Sequence, residues 1–250
     1  MASKIAFHWF LVKIYKIAIY GQNAPFFLAN FFYSLSWMMP VKRIVSVGSH
    51  PDDVEQGMGG TLAKHSNKGD EVHIILCTLG IGGSCGDQKM RENEALLAAN
   101  ILGGHLHSLD YPVLKLNKSS IEFDNIIKKS IDDINPDRVY VHSPFDYHQV
   151  HTRVSESVTK VTKGIEQVLF YEGISSTNPD FRPNAYVDIT KHIDLKLKSI
   201  DVHMTQSNRL YLQSNITKSL AYTRYMMGKV GSNPNGMAEA FTIHRFIISS

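Results

Sequence analysis

Ile44-Val45-Ser46-Val47-Gly48-Ser49-His50-Pro51-Asp52-Asp53-Val54-Glu55-Gln56-Gly57-Met58-Gly59-Gly60 decides how the chain reads. Ile44 to Gly48 has the length and composition of a short buried strand. Thr61-Leu62-Ala63-Lys64-His65, which follows, reads as helix. One imidazole and two carboxylates therefore stand at the C-terminal end of a strand, just before a glycine-rich turn. In an open α/β sheet that is where ligands bind.

Downstream, strand and helix patterns alternate. A helix over Gly60–Lys68 ends at Gly69, a good C-cap residue. Glu71 to Leu79 reads as a strand, followed by the glycine-rich Gly80–Ser84 loop. Lys89 to Leu102 reads as a helix with Ala95, Leu96, Ala99 and Leu102 as its apolar stripe and Gly103-Gly104 as its stop. A short strand over His105–Leu109, a helix over Ile121–Ile134, a strand over Arg138–His142 and a helix over Val150–Val161 follow. Val168–Tyr171 and Tyr186–Ile189 read as strands and Lys191–Thr205 as a helix. Such alternation predicts a Rossmann-like, doubly wound α/β fold with a mostly parallel sheet and helices on both faces. No internal repeat and no linker divides the region from residue 41 to 250.

Residues 1–40 differ from the rest. They are rich in aromatics (Phe7, Trp9, Phe10, then Phe26, Phe27, Phe31, Phe32 and Trp37), and Ala24 to Val41 carries no charge. That length is close to the roughly 20 residues a membrane span needs. Yet Pro25, Asn30, Ser34, Ser36 and Pro40 interrupt it, and at about 100° per residue Lys4 and Lys13 fall on opposite sides of a helix. A signal peptide would want one compact apolar core and a small-residue cleavage site, and neither is clear. Two readings stay open: an anchor on or in a membrane, and a hydrophobic helical extension packed on the domain or on another subunit.

With 250 residues, 43% of them apolar, the chain is long enough for one large α/β domain plus an appendage. The net charge of +3 is spread along the chain with no basic stripe, which argues against nucleic-acid binding. Two cysteines, Cys77 and Cys85, are too few for a disulfide framework. Cys77 falls in an apolar pattern and reads as a buried free thiol. A reducing compartment fits, hence a cytoplasmic protein, membrane-associated if residues 1–40 are an anchor.

A second polar cluster, Asp146-Tyr147-His148-Gln149-Val150-His151, follows the Arg138–His142 strand. The fold can bring it onto the same rim as His50. His50, Asp53 and His151 would give two imidazoles and one carboxylate, and three protein ligands with an open position is a catalytic zinc arrangement. Each part also has a plain structural reading. His-Pro-Asp-Asp can be a turn with a capping aspartate, and His148 and His151 can be surface or helix-start residues. The glycines at 57, 59 and 60 suggest a dinucleotide loop, but the acidic pair before them would repel a pyrophosphate. Two metal-capable clusters at equivalent strand ends are harder to explain structurally than either one alone.

His50-Pro51-Asp52-Asp53-x-Glu55-x-Gly57-x-Gly59-Gly60-Thr61-Leu62 resembles the signature of the LmbE-like deacetylases, which include the N-acetylglucosaminyl-phosphatidylinositol de-N-acetylases. The likeness continues through Arg91-x-x-Glu94-Ala95, Leu102-Gly103 and His148-x-x-His151. It resumes at Pro183-Asn184-x-Tyr186-Val187-Asp188-Ile189-Thr190, at Lys196, at His203-x-x-Gln206 and at Ala238-Glu239-Ala240-Phe241. It spans about Arg43 to Phe246, within the domain read over 41–250, and leaves the extension uncovered.

The resemblance implies one zinc per chain held by His50, Asp53 and His151, with Asp52 as general base on the water at the metal. It implies that a protonated His148 stabilises the oxyanion or protonates the leaving amine. Arg91 would bind sugar hydroxyls or an acidic group of the substrate; its plain alternative is a helix pair with Glu94. The implied reaction hydrolyses the N-acetyl group of a GlcNAc-type sugar or conjugate to a free amine and acetate. The implied partner is thus a small N-acetyl sugar, and relatives often form homo-oligomers. Alternatives are a non-catalytic sugar-binding protein on the same fold and a metal-dependent hydrolase of another bond. One departure stands out. The family commonly has an acidic or amide residue directly before the last histidine, and here that residue is Val150. The hydrogen bond with which it would orient His148 or another site group has to come from Asp146 or Asp188, or activity is reduced.

Overall fold

The computed structural model describes residues 41–80, 87–116 and 121–247. The strands are β1 (Arg43–Gly48), β2 (Glu71–Leu76), β3 (His105–Ser108), β4 (Arg138–His142), β5 (Gln167–Tyr171), β6 (Ala185–Asp188) and β7 (Ala238–Phe246). Between them lie α1 (Asp53–Asn67), α2 (Gln88–Ile101), α3 (Val113–Leu116), α4 (Ile121–Ile134), α5 (Gln149–Val161), α6 (Ile193–Asp201) and α7 (Ser214–Met227). Residues 1–40, with the anchor and packing readings, lie outside the described residues. Among the described residues no helix is long and apolar enough to cross a membrane.

The seven strands form one sheet in the order β3-β2-β1-β4-β5-β7-β6. β1 to β5 run parallel, and β7 runs against both β5 and β6. This is the Rossmann-like, mostly parallel sheet expected. Its chain order reverses between β1 and β4: the chain leaves β1 toward β2 on one side and comes back to pair β4 on the other. The carboxyl ends of β1 and β4 flank that switch point.

Side chains alternate across the sheet with the period of two that a strand imposes. Val45, Val47, Ile75, Val139, Val141 and Phe170 pack on one face against Phe123, Ile127 and Ile131 of α4 and Val154 and Val158 of α5. Ile44, Val72, Ile74, Tyr140, Leu169 and Tyr171 face the other way, onto Val54, Met58 and Leu62 of α1, Ala99 of α2 and Leu102 just past its end. Both faces are covered, as a doubly wound sheet requires. Cys77, just past β2, is a buried free thiol, as expected.

Four features differ from the sequence reading. Helix α1 begins at Asp53 rather than Gly60, so the glycines are inside it and form no turn. They are there for close packing: a Cβ on Gly57 would lie 2.4 Å from the Tyr171 ring, and one on Gly60 would lie 2.7 Å from Ile189. Low helix propensity had pointed to a turn, and tertiary packing overrides it. The helix expected over 191–205 stops at Asp201 and gives way to 3₁₀ turns at Met204–Gln206 and Leu210–Leu212. Strand β7 and helix α7 complete the far side of the sheet. Asp188, a candidate support for the site, accepts from Thr190 N at the end of β6 and is exposed.

Helix α1 is interrupted at Met58 (φ −152°, ψ 20°). A carboxylate from the far strand repairs the break: Glu239 accepts from Gly60 N (2.9 Å) through Oε1 and from Thr61 N (2.7 Å) through Oε2. It acts there as the anion at a helix start. Lys196 of α6 balances its charge and also donates to the Gln56 carbonyl just before the break. Lys196 and Glu239 are 3% and 4% exposed, so each depends on the other for its solvation. Glu239→Ala should therefore lower unfolding free energy by about 3–5 kcal/mol, the cost of stranding a buried charge. Urea denaturation checks this; a loss under about 1 kcal/mol, the size of an exposed pair, would contradict it.

Candidate active site

Each half of the site grows from one strand end. Beyond β1, Asp52 adopts a left-handed conformation (φ 98°, ψ −24°) before α1 begins. A non-glycine residue there costs on the order of 1–3 kcal/mol, and such strain persists where surroundings over-determine it. Here the Asp52 carbonyl accepts from Gln56 N, starting the helix, while the Asp53 carboxylate folds back over the turn. Its Oδ2 accepts from Ser49 N (3.1 Å) and His50 N (2.7 Å). Those donors leave Oδ1, which lies 3.3 Å from His151 Nε2.

Beyond β4, His148 caps α5: its Nδ1 accepts from Val150 N (3.3 Å). Asp146 accepts from His148 N (2.7 Å) with one oxygen and stands 3.1 Å from His151 Nδ1 with the other. That contact turns His151 Nε2 toward Asp53. The rings of His148 and His151 stack 4.4 Å apart, and that of His50 lies 5.0 Å from His148 and 5.4 Å from His151. Val150 stands at the position from which the sequence reading expected no brace, with Asp146 or Asp188 to supply it. Its side chain is buried in the apolar core, and Asp146 braces His151 in its place.

All six residues singled out in the sequence (His50, Asp52, Asp53, Arg91, His148 and His151) line one cavity of about 250 Å³. Arg91 is 6% exposed, and its guanidinium packs over Gly80, where a Cβ would meet Nη1 at 2.1 Å. The helix pair with Glu94 does not form among the described ion pairs. The Glu94 carboxylate instead accepts from Thr205 N (2.9 Å) and Thr205 Oγ1 (2.6 Å).

His142, the last residue of β4, was read only as a strand residue. It is fully buried, its Nε2 lies 3.2 Å from Asp53 Oδ2, and its ring stacks 4.0 Å from that of His151. Its place at a strand end on the same rim was the available signal. Gln206, Arg209 and Tyr211, from the 3₁₀ segment, also line the cavity, and no periodic pattern marks them.

Charge is concentrated in this cavity. Burial, and then the neighbouring Asp53 carboxylate, raise Asp52 to about 8. Burial would also raise Asp53, but the His151 and His142 rings hold its carboxyl well below the usual carboxylate range. His151 is raised to about 10, because Asp53 and Asp146 outweigh its burial. Burial, followed by the charge of His151, pushes His142 down to about 4. Burial, then the charges of His151 and His50, lowers His148. With Nδ1 accepting from the backbone, its proton is on Nε2.

The donor set fits a divalent metal. One nitrogen each of His50, His148 and His151 fall within 4.8 Å of one another, and so do donors of Asp53, His142 and His151. Of these, His148 already turns its Nδ1 to the Val150 N–H. His142 lies against the Asp53 oxygen already taken by backbone N–H groups. His50 Nδ1 and His151 Nε2 each lie 3.3 Å from one oxygen of the Asp53 carboxylate, and Asp146 stands behind His151 as the carboxylate a ligating histidine usually has.

The PIG-L family model, described as GlcNAc-PI de-N-acetylase, matches residues 45–162. An uncharacterised deacetylase of Escherichia coli strain K12, YaiS, is 32% identical over 169 residues, 65% of this chain and 90% of the relative. The solved N,N′-diacetylchitobiose deacetylase from Pyrococcus horikoshii superposes with a TM-score of 0.66 at 25% identity, covering 81% of this chain and 83% of that one. A 4-carboxy-2-hydroxymuconate hydratase from Pseudomonas putida superposes at 0.69 and 19% identity, over 84% of this chain and 99% of that one, and shares the fold.

Asp146→Ala should weaken binding of a divalent ion about 10–100-fold, the usual cost of losing the carboxylate behind a ligating histidine. Zinc titration of the stripped protein measures it; an unchanged affinity would show that His151 needs no such brace.

Proposed function

This chain belongs to the PIG-L family, GlcNAc-PI de-N-acetylase, and from that premise we propose that it hydrolyses the N-acetyl group of a GlcNAc-type sugar or conjugate to a free amine and acetate. The named relatives are deacetylases, and the chain is a hydrolytic enzyme of their kind. The same fold also carries a hydratase, so the reaction is argued from the side chains and not from the sheet. The supporting observation is that His50 and His151 both contact the Asp53 carboxylate, each at 3.3 Å, beside the β1/β4 switch point, with Asp52 and His148 on the same cavity.

His50, Asp53 and His151 would hold zinc. When bound, zinc supplies a Lewis acid that polarises a carbonyl and lowers the pKa of water to about 7. Asp52 does the proton work. It is 5% exposed and lines the cavity, where the charge of Arg91 offsets part of its burial. It takes a proton from the attacking water as the water oxygen bonds to the acetyl carbon. It returns that proton to the nitrogen as the C–N bond breaks, so the products are the amine and acetate. As the base Asp52 would be ionised, a form that the charges of His203 and Arg91 favour.

His148 faces the other side of the reacting carbonyl. Its Nε2–H is a fixed donor for the oxygen that gains charge as water adds. Arg91 presents its Nη groups at the cavity wall, where they pair with sugar hydroxyls or an anionic substituent.

With zinc restored, the purified protein should release acetate from N,N′-diacetylchitobiose. Asp52→Asn should cut that rate by about 10²–10⁴-fold with zinc content unchanged, the usual share of a general base. Acetate and metal are quantified on the same samples. A variant turning over within about tenfold of the parent would remove Asp52 from that role.

A further inference from the structure

The turn from Asp52 to Glu55 buries three carboxylates within four residues, and the mechanism accounts for only two of them. Asp53 is matched by His142 and His151. Glu55 is 3% exposed and takes no part in the chemistry. Among the described residues its ion-pair partner is His203, whose Nε2 lies 3.7 Å from Glu55 Oε1. His203 follows α6 and precedes the Met204–Gln206 turn. It is 1% exposed, and neither ring nitrogen has a hydrogen-bond partner. A buried imidazole with both nitrogens unspent has a reason to be there other than packing.

The segment carrying His203 is held firmly. Glu94 of α2 accepts both the Thr205 N–H and the Thr205 hydroxyl, which fixes the turn two residues on. Glu94 thereby spends its carboxylate on neutral donors. The nearby cation Lys196 is occupied by Glu239 and the Gln56 carbonyl.

We propose that His203 is a positioning residue for the catalytic turn: as an imidazolium beneath Glu55 and Asp52 it balances their buried charge and keeps Asp52 aimed into the cavity. The proposal rests on Asp52 being the base. Burial alone would lower His203, but the contact and charge of Glu55, with those of Asp52 and Glu94, raise it instead. The left-handed Asp52 needs such support, since an uncompensated Glu55 carboxylate one helical step away would push the turn toward solvent. His203 touches no reacting atom. Its loss should act through Asp52 geometry, where a shift of about 1 Å can cost about 10²-fold in rate.

The test uses the full-length, zinc-loaded protein and N,N′-diacetylchitobiose. His203→Gln keeps a donor but loses the charge. It should lower kcat by about ten- to a hundredfold with KM within about twofold and zinc content unchanged. Glu55→Gln removes the anion that His203 serves, so His203→Gln combined with Glu55→Gln should be less impaired than the product of the two single effects. If His203→Gln fails to fold, recovery of folding in the double variant supports the proposal, and a double variant that is equally unfolded overturns it. A kcat within about twofold of the parent, or single effects that simply multiply, also overturns it. Asp52→Asn in the same assay tests the base separately: full activity there sinks the reading of Asp52, whereas full activity in His203→Gln sinks only this proposal.

Discussion

The Asp53 carboxylate joins the two halves of the cavity. One oxygen takes the N–H groups of Ser49 and His50 and so closes the turn that follows β1. The other faces His151, which begins a hundred residues later on the helix after β4. Without a carboxylate at this point the β1 turn loses its internal acceptor and His151 loses its opposite charge. The sheet order makes the contact geometrically cheap. β1 and β4 pair side by side, and their carboxyl ends both open onto the gap left where the chain reverses direction.

Concentrating acidic groups in one buried turn has a cost that the surrounding elements offset one by one. His142 lies beneath Asp53, His151 beside it and His203 beneath Glu55. Farther along the same helix, Glu239 and Lys196 restore the hydrogen bonds broken at Met58. That break sits where Gly57 and Gly60 bring α1 hard against Tyr171 and Ile189. Tyr171 in turn donates to the Val47 carbonyl at the end of β1, so the helix, the catalytic turn and the sheet are tied at one place. Glu94, Lys196, His203 and Glu239, four of the positions at which the chain resembles its family outside the two histidine clusters, belong to this supporting frame.

Much of this was legible in the sequence wherever periodicity or strand ends carried the signal. Helix α4 and strand β4 fall on their expected residues, because Ile127 and Ile131 recur at helical spacing and Val139-Tyr140-Val141 is an uninterrupted apolar run. The two polar clusters could be placed on one rim because an alternating α/β pattern puts equivalent strand ends together. What stayed hidden depends on tertiary contacts. The start of α1 was masked by glycines whose purpose is close packing. His142 looked like one more strand residue, since nothing local reports which ring will stack on His151. β7 runs antiparallel to its neighbours, which an expectation built on βαβ units does not anticipate.

Val150 shows how the local chemistry tolerates a departure from the family pattern. Two separate tasks meet at this position. One is to fix the His148 ring, and the main chain does it: the Val150 N–H donates to His148 Nδ1, and any residue but proline would supply that donor. The other is to place a carboxylate behind the histidines. Asp146 does that from the other side of the turn, with one oxygen on the His148 N–H and the other on His151 Nδ1. The Val150 side chain is then free to join Val154 and Val158 in the core under the sheet. The valine is thus consistent with a working site in which a single aspartate orients both histidines of the second cluster.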